Sequence, residues 1–220
     1  MLFRSTSPDG VTWTVQEGSP TTSLLYSVTF GAGQYVAVGT TGRVITSPDG
    51  VTWTIRTSNT TRILRGVTYG GGQFVAVGSS REVITSPDGI TWTVRTPGVP
   101  STVSTLWGVA HGAGVFVAAA SGGLITSPDA ITWTHTLSGF SFRGVTHTGT
   151  VFLAVGFNSV RTSLDGAVWT ASSLNPAPGV STSLQAVTFG SAGAVGAGVQ
   201  GSIFTSPDGT TPWTSRTFET

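Results

Sequence analysis

The chain has 220 residues, with 31 Gly, 7 Trp and no Cys, and its 10 basic residues, every one Arg, stand against 9 Asp and Glu for a net charge of +1. Only 9% of the residues are charged, which leaves no basic stripe for a phosphate backbone, so a nucleic-acid partner is not expected. The lack of cysteine excludes disulfide frameworks, thiolate metal sites and cysteine nucleophiles, while 38% hydrophobic residues suffice for a sizeable core.

From the N-terminus, Met1 to Arg4 run straight into a turn motif with no apolar leader. No run of about 18 apolar residues suggests a membrane span, and no membrane partner is expected. The expected location is extracellular or virion-associated, reached by lysis, in a particle or within a longer polypeptide. The turn motif, Ser7-Pro8-Asp9-Gly10-Val11-Thr12-Trp13, then recurs at Ser47 to Trp53, Ser86 to Trp92, Ser127 to Trp133, Ser163 to Trp169 and Ser206 to Trp213. Its Asp residues, at 9, 49, 88, 129, 165 and 208, are spaced by 40, 39, 41, 36 and 43 residues. A period near 40 built from short β-rich runs points to propeller blades.

One period reads as four strands: LYSVTF from Leu25, a Gly31-Ala32-Gly33 turn, QYVAVG, a short loop at 40–42, RVITS, the Pro48-Asp49-Gly50 turn, and VTWTIRT. Each run is short, rich in Val, Ile, Thr and aromatics, and bounded by turn residues, which makes a four-stranded antiparallel meander. Copies begin near Leu64, Leu106, Phe142 and Leu184. In the motif Pro presets the backbone, Gly takes the left-handed position, Asp accepts local N–H groups, and the Trp is expected to pack between hairpins. The fold class is therefore all-β: one propeller domain over 1–220, with four-stranded antiparallel blades at about 24–58, 63–97, 105–138, 140–173 and 184–219. Five blades are favoured and six are the alternative, with an extra N-terminal β-hairpin at 1–16 that lacks two inner strands.

These motif copies resemble the Asp-box, or BNR-like, propeller families, which include sialidases, photosystem II assembly factors of plants and cyanobacteria, and bacterial and phage proteins. The usual box is Ser-x-Asp-x-Gly-x-Thr-Trp, and the copies here are one residue shorter between Asp and Trp. The resemblance covers nearly the whole chain and implies a propeller. It implies no particular activity, because enzymes and binders share the box.

Six of the nine carboxylates sit in the repeated turn, leaving Glu17, Glu82 and Glu219. Tyr26, Tyr35 and Tyr69 lie in strand runs without a Tyr-Glu partnership, so an enzyme is not expected. His111 and His147 stand where other repeats hold Phe30, Tyr69 and Phe189, which predicts packed rings, and His135 is alone; no metal and no cofactor are expected. Positions that vary within a fixed frame are more informative. Tyr26, Arg65, Trp107, Arg143 and Gln185 each open an inner strand, on the face opposite the Asp turns. Loops between second and third strands add Thr41 and Arg43, Arg81 and Glu82, Ser121, Asn158 and Arg161, and Gln200 around the same rim. Aromatic planes beside Arg, Asn and Gln donors suit a sugar or an extended acidic chain, with Trp107, the tryptophan outside the motif series, as the leading candidate. Two long Pro-, Ser- and Gly-rich segments, Thr96 to Ser104 and Ser172 to Ser183, are expected on that face.

The reading is a non-catalytic binding module for a glycan or protein surface, as in phage or bacterial surface attachment. The alternative is a structural or assembly propeller, in which the N-terminal hairpin offers an edge to a homo-oligomer or a neighbouring subunit. A degenerate glycoside hydrolase is the weaker third.

Overall fold

The computed structural model describes residues 5–15 and 20–216, so Glu17, Glu219 and the ends of the expected N-terminal hairpin lie outside the described residues. That hairpin pairs β1 (Ser5–Thr6) with β2 (Thr14–Val15). The first sheet is β3 (Leu25–Gly31), β4 (Gln34–Gly39), β5 (Val44–Ser47) and β6 (Thr54–Arg56), and the second is β7 (Leu64–Gly70), β8 (Gln73–Gly78), β9 (Val83–Ser86) and β10 (Thr93–Arg95). A six-stranded sheet follows, made of β11 (Leu106–Gly112), β12 (Val115–Ser127), β13 (Thr134–His147), β14 (Phe152–Gly156), β15 (Ser159–Ser163) and β16 (Thr170–Ser172). The last sheet holds β17 (Leu174–Asn175), β18 (Leu184–Gly190), β19 (Gly193–Gly198), β20 (Ile203–Ser206) and β21 (Trp213–Arg216). The molecule is an all-β propeller.

The blades number four as sheets where the repeats predict five. The third and fourth repeats share the six-stranded sheet, because the long strands β12 and β13 pair from Ser121–Ser141 to Thr126–Thr134, with register shifts between Ser121 and Gly123 and between Leu124 and Ile125. The cause is the short spacing of 36 between Asp129 and Asp165: no slack remains for a loop between the outer strand of one repeat and the inner strand of the next. A second difference is β17, which lies within the expected loop at 172–183 and pairs parallel to β21. The segment at 96–104 likewise turns inward, burying Val103 and packing Val99 on the core. Neither long segment lines the channel described below.

The turn motif folds as its chemistry dictates. In the first blade Asp49 Oδ1 accepts the N–H groups of Val51 and Thr52, both at 2.8 Å, and the Ser47 hydroxyl at 2.9 Å. Gly50 takes φ +76° and its carbonyl accepts Trp53 Nε1 at 3.0 Å. The other copies repeat the Asp bonding, and even Ala130, in the glycine position, takes φ +61°. The Trp packs first on its own blade: Trp53 against Tyr35, Trp92 against Phe74 and Trp169 against Phe152, with ring centres 6.4 to 6.5 Å apart. Two of the turns also dock on the preceding blade: Gln34 Nε2 donates to the Asp88 carbonyl at 2.6 Å and Gln73 Nε2 to that of Asp129 at 3.1 Å.

The core lies in the second and third strands, where Val36, Val38, Phe74, Val75, Val117 and Leu153 are fully buried. Inner strands stack side by side in the order β3, β7, β11, the end of β13, and β18. They approach so closely that a Cβ on Gly66 would lie 2.9 Å from Gly108 Cα, and one on Gly144 3.1 Å from Ala186 Cα. Among the described residues β3 and β18 do not stack on each other in this way, so the series of inner strands is open on one side.

Candidate functional site

All five inner strands carry the same irregularity. The pairing slips by one residue between Leu25 and Ser27, Leu64 and Gly66, Leu106 and Gly108, Phe142 and Gly144, and Leu184 and Ala186. The extra residues are Tyr26, Arg65, Trp107, Arg143 and Gln185. A β-bulge leaves its extra residue out of the ladder and re-aims the side chain. Here it turns one large side chain from every inner strand toward the axis, and these five together line an opening of about 180 Å³. Deeper in, the lining becomes the close-packed backbone at Gly66, Gly108 and Gly144.

Within the opening the side chains stack. The Arg65 guanidinium carbon lies 5.4 Å from the Tyr26 ring centre and 4.3 Å from that of Trp107, and Arg143 lies 3.7 Å from Trp107. Trp107 is held in place by its Nε1, which donates to Ser121 Oγ at 2.9 Å. Cation–π contacts of this kind contribute about 0.5–2 kcal/mol each, rising with desolvation. Arg65 Nε is buried with no hydrogen-bond partner. The described carboxylates are the six turn Asp residues, at the other end of the blades, and Glu82, in a separate depression. The mouth therefore presents two guanidiniums whose charge no described carboxylate neutralises.

The rest of the expected rim is not gathered there. Thr41, Arg43 and Glu82 line the separate depression between the first two blades, with Asn59 and Arg62, and Arg43 Nε donates to Ser23 Oγ at 3.3 Å. Arg81, Asn158 and Gln200 occupy left-handed turn positions, at φ 62°, 48° and 57°, and Asn158 is bonded to Thr182. Arg161 stacks on Phe140 at 4.5 Å. The second-to-third loops are tight turns that follow the ladder outward, so of that rim set only Ser121 touches a channel residue.

The remaining titratable groups are structural. Each turn Asp is held below the usual carboxylate value of 3.8, chiefly by the N–H three residues on and then the N–H two residues on, and Asp9 falls to about 2. His111 and His147 pack on Phe116 and Phe152 with ring centres 4.6 Å apart, and burial pushes both imidazoles below their usual 6.5. His135 Nε2 faces the Gly122 carbonyl at 3.1 Å. Among the described residues no three His, Asp or Glu converge as metal ligands would, and no helix is long and apolar enough to cross a membrane.

Comparison with family models and with curated proteins finds no match. Among solved structures the chain is similar to YCF48 from Cyanidioschyzon merolae, with a TM-score of 0.65 and 20% identity over 88% of this chain and 70% of that one. It is also similar to a YCF48 bound to D1 peptide, with a TM-score of 0.52 and 16% identity over 89% of this chain and 83% of that one. At these identities the likeness is one of fold.

Proposed function

We propose that the protein is a non-catalytic binding propeller that takes a polypeptide partner at the channel mouth, seating a carboxylate against Arg65 and Arg143 and the flanking chain on Trp107 and Tyr26. The observation that carries the reading is the Arg65–Trp107–Arg143 stack, which faces no described carboxylate and is aimed inward by three bulges. Planar guanidiniums fixed on an aromatic ring are poised for carboxylate recognition at small entropic cost. A peptide-bound structure of similar fold is consistent with a protein partner. Among the described residues no carboxylate is placed for catalysis at the channel, since the six turn carboxylates are occupied with backbone N–H groups and Glu82 lies outside it. Glycan attachment on a virion or cell surface is the competing reading, which Trp107 and Gln185 also suit.

The test is fluorescence anisotropy with a labelled Asp/Glu-rich decapeptide and its Asn/Gln counterpart, beside a glycan array. The acidic peptide should bind, weaken about tenfold or more in Trp107→Ala and in Arg143→Gln, and weaken with added salt. Equal binding of both peptides, or binding unchanged in both variants, sinks the carboxylate reading. Glycan binding lost in Trp107→Ala without any peptide binding replaces it with the sugar reading.

A further inference from the structure

The N-terminal hairpin is the outer half of a blade. Asp9 Oδ1 accepts the N–H groups of Val11 and Thr12 at 2.9 and 2.8 Å, as in every complete copy, yet among the described residues the sheet has only β1 and β2. In each complete repeat two inner strands precede the strand that β1 represents. No described residues occupy that place beside β1, and Trp13 is 61% exposed while its counterpart Trp92, which packs on Phe74, is 2% exposed.

Beside the hairpin lies an apolar groove of about 360 Å³, lined by Ser5, Thr6, Tyr26, Val28, Gly50 and Trp53 among others. Val28 and Phe30 are 59% and 57% exposed on this side, whereas Val67, the match to Val28 one blade on, is buried. The interior blades show what belongs there. Tyr69 packs over Gly31 of the preceding blade, His111 over Gly70 and His147 over Gly112, so closely that a Cβ on those glycines would overlap the ring. Phe30 is the same ring of the first blade. At the other end of the series the matching Gly190 has nothing within 4 Å of where its Cβ would be. The amide bonds from Gln34 to the Asp88 carbonyl and from Gln73 to the Asp129 carbonyl add a polar register mark, and Gly50, next to the matching Asp49, lines the groove.

We propose that this groove is a docking site for a β-hairpin supplied by a partner polypeptide and patterned like the inner half of the repeat. Its first strand ends in an aromatic followed by Gly, which receives Phe30. Its second strand opens with Gln, which donates to the Asp49 carbonyl, and continues with alternating apolar residues over Val28 and beside β1. The open place is two strands wide, so a whole blade from a second copy does not fit: β1 and β2 already fill the outer half. Strand addition of this kind takes its strength from the ladder and its specificity from side-chain pockets. The site adjoins the channel mouth at Tyr26, reaches neither Trp107 nor the arginines there, and extends the binding reading to a second surface.

The probe is residues 64–79 of this sequence, an inner hairpin with Tyr69, Gly70 and Gln73, carried on a soluble carrier protein and measured by biolayer interferometry against the full chain. Saturable one-to-one binding is expected, weakened about tenfold or more by Phe30→Asp in the chain and measurably by Gln73→Ala in the probe, and unaffected by Trp107→Ala. Phe30 is largely exposed, so circular dichroism of the Phe30→Asp variant should match that of the parent. No binding, equal binding of a scrambled probe, or indifference to Phe30→Asp overturns the proposal. Self-association of the chain abolished by Phe30→Asp, with no probe binding, overturns it in favour of a second copy. Because Trp107→Ala reads only the channel and Phe30→Asp only the groove, the two readings fail independently.

Discussion

At Trp92 and Trp13 the same motif residue has two different jobs. Trp92 is buried in a core shared by the first and second blades, and Trp92→Ala should cost about 3–5 kcal/mol in urea unfolding, the range for emptying a large aromatic site. Trp13→Ala, at an exposed copy, should stay within about 0.5 kcal/mol. Equal costs at the two positions contradict the half-blade description. The Ser-Pro-Asp-Gly signature was readable from residue chemistry alone, since each atom in it satisfies a neighbour within three positions. The five site residues were readable as a set of large variable side chains, but their convergence was not: a bulge is a property of register between two strands, and nothing in Leu25-Tyr26-Ser27 by itself announces that Tyr26 leaves the ladder.

At the level of strands and blades, packing decides two outcomes. The inner strands run nearly in backbone contact, so Gly144→Ala places a methyl 3.1 Å from Ala186 Cα and from Val187 N and should destabilise by about 1–3 kcal/mol in thermal or chemical unfolding. The His rings set a pH dependence. Their folded-state pKa values lie below the unfolded 6.5, so the folded form binds fewer protons, and stability present above that value is lost as pH falls below it. The melting temperature should therefore drop between about pH 7.5 and pH 5, and the double variant His111→Phe with His147→Phe should flatten that drop. The turn carboxylates act lower: with folded values below 3.8, their contribution persists above it and is lost as the pH falls through the lowered values. At this scale the meander was legible because Gly-rich turns punctuate runs of β-branched residues. The strand β17 was not, since two residues, Leu174 and Asn175, held parallel against β21 leave no periodic trace.

Across the whole molecule the placement of charge follows from the repeat. Nearly every described carboxylate is consumed in a turn at one end, so the arginines at the other end keep their charge although the chain is nearly neutral. Peptide binding at the mouth should accordingly be salt-sensitive while folding stability is not, which parallel titrations of binding and unfolding in NaCl will separate. The ring-like arrangement was legible from the period of the motif. That the inner series stays open was not, because closure depends on whether β3 and β18 meet, and both strands read like their neighbours.

The ladder shared by β12 and β13 gives this molecule a keel. Wherever a connecting loop joins two repeats, the blades are able to tilt; between the third and fourth repeats a shared ladder, shifted in register between Ser121 and Gly123 and between Leu124 and Ile125, couples the two more tightly than a loop does. Any widening or narrowing of the gap between the first and fifth inner strands must then be borne by the remaining junctions, at 57–63, 96–105 and 173–183. Hydrogen exchange should find the amides of 134–142 slower than those of these three connections, with the arc flexing like a hinged bracelet around one welded link.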